Sequence, residues 1–391
     1  MAANGKAIGC LVVLAVTLVT SCSSVPPQPK KATSDKNSAP ATALAEPSPT
    51  VESERRFCRG VLAAEVRDEL SHRWRQRWPE SVIPFERSRS GGTVAAAVYG
   101  SAFSGVALVA ASSGRIVRRI DAFGDPAVDQ AGGQYDGPAL VWKEYHSQQG
   151  LADYTVKAWD ARTGQVRVIG QAHRASDGHM FPSPWQDPVL GDGYAAWVEG
   201  TDDRGAGDIV LYDTRHHRRR VVHRGHPGWL LIAGGKLIWA EAPRPGAMTE
   251  IRAIGLHTKR RVAPPAALVS LRGVWGFVSD GRGYAWVGSD SRSVYYAKSA
   301  GEPGRLVVRL RQGGFSPPLV LGSGVVAAPI SAGGLVLSNG RRSAVTELRG
   351  AANAAAAGNH LLLVPANPEK VEHPVSGLAP LSPSDMQISC G

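Results

Sequence analysis

The chain has 391 residues, and about 335 of them follow a Ser- and Pro-rich leader segment, too many for one small core. Its formal net charge of +11 would suit an anionic neighbour such as lipid headgroups or acidic wall polymers. Basic and acidic residues are interspersed, however, so the charge alone selects no partner, and no nucleic acid is expected for an exported chain.

Residues 1–21 read as a secretory signal. Lys6 supplies the positive charge, and Ala7 to Thr20 form an apolar run of 14 residues, short of the roughly 20 that span a bilayer as a helix. The run ends in Val19-Thr20-Ser21-Cys22, which resembles the lipobox of bacterial lipoproteins: an aliphatic residue, two small ones, then Cys. That resemblance implies a diacylglyceryl group on the Cys22 thiol, palmitate-type acylation and attachment to the extracytoplasmic face of the cell membrane. Two acyl chains, at about 0.8 kcal/mol per buried CH₂, make a stable anchor where one does not. An ordinary cleaved signal or a short membrane helix is the competing reading. High Ala, Gly and Arg content points to an actinobacterial source.

Residues 22–56 carry the lipidated cysteine and a linker with six prolines and no aromatic residue, a composition that cannot bury a core. As a flexible coil it would span roughly 30 Å. Two cysteines remain beyond it, Cys58 and Cys390, one at each end of the folded part. In an oxidising compartment they are expected to pair, two separate buried thiols being the alternative. A helix is expected over 59–78, where Leu62, Val66, Leu70, Trp74 and Trp78 recur every four residues before Pro79. Such a face would cover the closing blade of a ring or bind a partner helix.

From residue 80 the pattern changes to short β-type runs punctuated by Gly, Pro, Asp and Ser. Apolar strands recur as Val94–Tyr99, Ala139–Trp142, Tyr194–Trp197, Lys236–Trp239, Gly283–Trp286, Val325–Ala328 and Leu361–Val364. Measured at residues 98, 142, 197, 239, 286, 327 and 363, the steps are 44, 55, 42, 47, 41 and 36 residues, which is blade-sized spacing. Each is followed by a second alternating strand, best seen in Thr155–Gly164 and Asp208–Arg215.

Asp187–Trp197, followed by Gly207–Asp213, resembles the repeat of TolB-like and related WD-repeat-like surface propellers: a Pro-small-Gly-Asp turn, a strand ending in Trp, then an Asp-Ile-x-x-Tyr-Asp strand. The resemblance spans about residues 90–365 and is best in the third repeat. It implies an all-β fold, a β-propeller over 57–391 with one N-terminal amphipathic helix, and the seven apolar runs suggest seven four-stranded blades, with six as the alternative. A Cys58–Cys390 bridge would then staple the seam of the ring, worth at least about 4 kcal/mol in the chain-entropy model.

Candidate chemistry is sparse. His216, His217, Arg218, Arg219 and Arg220, with His223, Arg224 and His226 behind them, carry too many cations to hold a metal; they read as a solvated hairpin or as an anion-binding patch for phosphate-bearing polymers or headgroups. Asp202, Asp203 and Asp208 offer a weak Ca²⁺ site without the ligand spacing of a calcium loop. Asp136, Glu144, Glu199, Glu241 and Asp280 lie near strand ends, where a glycosidase propeller would place its facing carboxylates, but nothing selects a pair. No Gly-x-Ser-x-Gly elbow occurs, and Gly234-Gly235 and Gly333-Gly334 read as turns. Trp142, Trp197, Trp239 and Trp286 share one repeat position and are expected to pack blades; Trp185 and Trp229 fall outside it, as ligand-stacking or gap-filling rings. No catalytic residue and no cofactor are expected. The reading is a membrane-anchored, non-catalytic platform for an envelope protein or anionic polymer. Its alternatives are a propeller hydrolase or lyase acting on glycan or lactone, and a structural subunit of an envelope complex. Cys22→Ala is expected to move the protein from the membrane to the soluble fraction; unchanged fractionation would remove the anchor.

Overall fold

The computed structural model describes residues 58–62, 81–89, 92–124 and 128–365, the strands 379–381 and 386–389, and within 128–365 leaves out 129, 147–151, 184–185, 245–246, 311–313, 316–319, 323, 330–334, 340–343, 349–350 and 359. All of these lie in the unit Phe57–Gly391. Among the described residues the structure is almost wholly β, with a single helical turn at Ala266–Val269.

Successive antiparallel groups of strands follow one another along the chain. The first comprises Ser81–Pro84, Thr93–Tyr99, Ser104–Ala110 and Ile116–Ala122. The next comprises Gln130–Tyr135, Ala139–Tyr145, Tyr154–Asp160 and Val166–Gln171. Then come Val189–Gly191, Tyr194–Gly200, Gly207–Asp213 and the long strand Arg218–Ala233. That strand pairs with Gly207–Asp213 through its first half and with Lys236–Ala242 through its second, so one continuous strand ends one group and begins another. Groups over 275–309, 320–348 and 351–381 complete the series.

The core lies between these sheets. In Thr93–Tyr99, Ala95 and Ala97 pack against Leu140, Trp142 and Trp159 of the next group, while Val94, Ala96 and Val98 pack against Ala355, Ala357 and Leu362 near the chain's end. The two-residue period of a strand sends alternate side chains to opposite faces, and here both faces are covered. The same split recurs in Tyr194–Gly200, where Ala195 and Trp197 face backward and Ala196 and Val198 forward. Each sheet thus shares a core with the one before and the one after, and the last meets the first, which is a propeller-like arrangement. Each of the seven apolar runs picked out by their spacing falls on the second strand of its group, Gly283 alone preceding its strand.

The helix expected over 59–78 does not begin as one. Cys58–Leu62 is a strand, parallel to Ala344–Leu348 and antiparallel to Met386–Ser389, and the remainder of that segment lies outside the described residues. An edge strand offering unpaired N–H and C=O groups outcompetes the helical spacing of a few apolar residues.

Candidate functional site

At the centre of the ring the segment Phe85–Arg89 threads between two first strands. Ala356 N–H donates to Glu86 O (2.8 Å), Gly358 N–H to Ser88 O (2.7 Å) and Arg89 N–H to Tyr135 O (2.8 Å). Arg87 and Ser88 also pair in parallel with Gln134 and Tyr135 on one side and with Ala356 and Ala357 on the other. Beside this plug lies an axial cavity of about 40 Å³, lined by Glu86, Arg87, Gln134, Gln186, Trp229 and Ser279 among others. At roughly 10–15 Å³ per water, it has room for a few waters.

Three ionisable groups crowd here. Glu86 and Asp187 keep partial contact with solvent as residues, but protein surrounds their carboxyls. Burial, reinforced by the neighbouring Asp187 charge, raises the Glu86 pKa to about 8 although the Gln134 side chain hydrogen-bonds it. The Gln134 carbonyl in turn accepts from Leu190 N–H (2.9 Å). Burial raises Asp187 to about 6 against the opposing pull of Lys143. Its carboxylate packs on Gly132, where any Cβ would collide with it. Lys143 is wholly buried, donates to Ser183 Oγ (2.9 Å) and lies 4.5 Å from the Tyr154 ring centre; burial lowers its pKa to about 8. Asp136, Asp192 and Asp280, on first-to-second-strand turns, all act on Arg87 and favour its charged form against burial.

The strand-end carboxylates do not converge on this axis. Glu144, Glu199 and Glu241 each accept a hydrogen bond from the indole two residues earlier: Trp142 (2.7 Å), Trp197 (2.9 Å) and Trp239 (2.7 Å). Each also meets a cation. Lys157 bridges Glu144 (2.9 Å) and Asp121 of the preceding sheet (2.8 Å). Arg219 and His173 (3.0 Å) hold Glu199, and His223 holds Glu241 (2.7 Å). Burial works against the Glu241 carboxylate, yet hydrogen bonds from His223 and Trp239 outweigh it and keep its pKa below the ordinary range. The recurrence Trp-x-Glu is therefore a latch between sheets. Trp286 has Gly288 where the Glu would stand and stacks instead on Tyr295, 5.7 Å between ring centres. Asp136 caps Ala139 N–H (2.9 Å) and Asp280 caps Arg282 (2.9 Å) and Gly283 (2.8 Å), at the opposite ends of the second strands from Glu144, Glu199 and Glu241.

The other candidates are dispersed. Asp202 caps Arg204 and Ala206 N–H, Asp203 pairs with His179 (2.8 Å) and Asp208 with Arg224 (3.5 Å); among the described residues no three His, Cys, Asp or Glu side chains are grouped to hold a metal. The basic hairpin Asp213–Arg218 lies inside one group of strands rather than between two. Within it His216 pairs with Asp213 (2.9 Å), His217 with Tyr212 OH (2.9 Å) and Arg219 with Glu199, whereas Arg218 and Arg220 are exposed with no carboxylate partner among the described residues. Trp229 packs against the core between the 226–255 and 275–309 groups and borders the axial cavity, so it fills a gap. Gly234-Gly235 is a turn with φ of 58° and 71°. Cys22, Cys390, Trp185 and Gly333-Gly334 lie outside the described residues. Glu86, Asp187 and Lys143 escaped the sequence reading; Lys143, a cation beside Glu144 in an otherwise apolar strand, was the one available signal.

No protein-family profile matches the chain, and no curated protein does. Among solved structures, a prolyl endopeptidase matches over 76% of this chain and 47% of its own length at 13% identity, with a TM-score of 0.49. PorZ, a surface component of the type-IX secretion system of Porphyromonas gingivalis, matches over 80% and 38% at 12% identity and 0.46. The computationally designed Ika8 protein matches over 78% and 98% at 10% identity and 0.45. The chain spans about half the length of the first and under two fifths of the second. None is similar enough to lend it an activity.

Glu199→Ala leaves the buried Trp197 indole N–H without its acceptor. It is expected to cost about 2–4 kcal/mol by chemical denaturation, the half-exposed Arg219 and His173 moderating the loss, while Arg162→Ala changes stability by under about 0.5 kcal/mol. Glu86 ionises near 4.5 when unfolded and about 8 when folded. Its contribution to stability is therefore complete below the first value and vanishes as pH rises through the second. Glu86→Gln should gain on the parent between pH 5 and 8 by up to about 1.4 kcal/mol per pH unit; parallel stability curves would show that Glu86 titrates normally.

Proposed function

We propose that the protein is an exported lipoprotein, held at the extracytoplasmic face of the cell membrane by acylated Cys22, whose ring is a non-catalytic platform for an envelope protein or anionic polymer. One observation supports this reading above others. The carboxylates that a propeller hydrolase would aim at its substrate are spent on Trp-x-Glu latches, and the axis is filled by Phe85–Arg89. In this reading the strand groups are blades of the TolB-like kind and number seven, six of them lining the axial cavity together with the plug residues Glu86 and Arg87.

A Cys58–Cys390 bridge belongs to the same proposal. Arg59, just after Cys58, pairs antiparallel with Ser389, just before Cys390. Thiol labelling of the denatured, unreduced protein should leave both cysteines unmodified and reach them after reduction; labelling without reductant would remove the bridge.

The hydrolase remains a second reading because Glu86, with its pKa raised to about 8 beside the cavity, has the protonation a general acid needs. Photo-crosslinking from the rim position Arg162 in intact cells separates the two. A platform yields discrete adducts; glycan cleavage by purified protein, lost in Glu86→Gln, would replace it with an enzyme.

A further inference from the structure

The hairpins joining third to fourth strands lie at one rim, because each hydrogen-bonds the first-to-second-strand turn of its own group. Ala161 N–H donates to Pro138 O (2.9 Å), Thr214 N–H to Gly193 O (3.0 Å) and Leu256 N–H to Gly235 O (2.9 Å). Contacts between groups then join these hairpins side by side. Arg118 lies over the Trp159 ring (4.8 Å) and against Gly164, His217 faces Asp160 (3.8 Å), and Lys259 lies over the Tyr194 ring (3.9 Å) beside Arg220.

Along this row the exposed cationic side chains are mostly arginines, set among Ser, Thr, Gln and His: Arg115 and Arg118 on the first group, Arg162 and Arg167 on the second. Arg215, Arg218 and Arg220 continue it on the third, and Arg260 and Arg261 on the fourth. The acids of the four hairpins are Asp160 and Asp213, and both are occupied by their own turns: Asp160 accepts from Arg162 and Thr163 N–H and meets the largely exposed Arg162 guanidinium (3.4 Å), and Asp213 accepts from Arg215 and His216 N–H and pairs with the His216 ring. Charged edge strands guard a sheet against pairing with another chain. That duty does not call for a single sign of charge. The charges also segregate radially, since Asp136, Asp192 and Asp280 occupy the turns nearer the axis on the same rim.

We propose that this arc of four hairpins is a track for a single linear phosphate-bearing polymer. Guanidinium groups match phosphate oxygens in a bidentate fork, and a chain that follows the arc meets arginine after arginine. A flat anionic bilayer laid on the rim would instead press against the central aspartates. The inference rests on the platform reading and supplies its partner class.

The test measures binding of long-chain inorganic polyphosphate, tripolyphosphate and phosphatidylglycerol vesicles to the purified protein at low and moderate salt. The long chain should bind at least tenfold tighter than tripolyphosphate, because successive contacts act at high effective concentration, and salt should weaken it. Arg162→Glu combined with Arg220→Glu should cost more than tenfold. An equal charge change at the other rim, Arg174→Glu with Arg204→Glu, should stay within twofold, circular dichroism confirming that both variants fold. Equal losses in the two variants, equal binding of tripolyphosphate, or binding of vesicles alone would overturn the track. Discrete protein adducts in cells without polyphosphate binding would overturn the track and leave the platform standing, whereas Glu86-dependent glycan cleavage would end the platform whatever the arc binds.

Discussion

Two-sided burial of the second strand in each group is the constraint on which the structure depends. A strand covered on one face alternates apolar and polar residues; these strands are apolar on both, and each face belongs to a different neighbour. No sheet can therefore complete its core alone. Burial worth about 25 cal/mol per Å² of apolar surface is gained only when the next sheet arrives, so the order of sheets along the chain becomes their order around the ring.

Large aromatic side chains at such a shared surface bring a polar complication. Trp142, Trp197 and Trp239 are almost completely buried, and each indole carries a donor that cannot be left empty at that depth. A glutamate two residues on lies on the same strand face and supplies the acceptor. Its charge then needs a cation, and the structure takes two of the three principal ones, Lys157 and His223, from positions that touch the adjoining sheet or belong to it. What begins as the satisfaction of one N–H ends as a bond between neighbours.

Much of the architecture was legible because it is periodic. The spacing of the Trp-ended runs located the doubly covered strands, and the apolar alternation of Asp208–Arg215 located a third strand. Glu144, Glu199 and Glu241 were visible as well, but position near a strand end does not distinguish a carboxylate that faces an axis from one that faces a neighbouring sheet; their fixed offset from Trp does. Glu86 and Asp187 could not be read at all. They lie in irregular segments whose meeting depends on how the ring closes, and no local pattern carries that information. The helical spacing of 59–78 misled at its start because pairing with two distant strands, Ala344–Leu348 and Met386–Ser389, outweighed local propensity at Cys58–Leu62.

The unbroken strand Arg218–Ala233 joins two environments that a loop would have kept apart. It begins among exposed arginines at the rim and, from the irregular step between Pro227 and Leu230 onward, borders the central cavity with Trp229 to Ile232. Sheet hydrogen bonds hold it along its length except at two irregular steps, near Val222 and at Gly228–Trp229, so one run of backbone sets the spacing between the charged margin and the hollow at the middle.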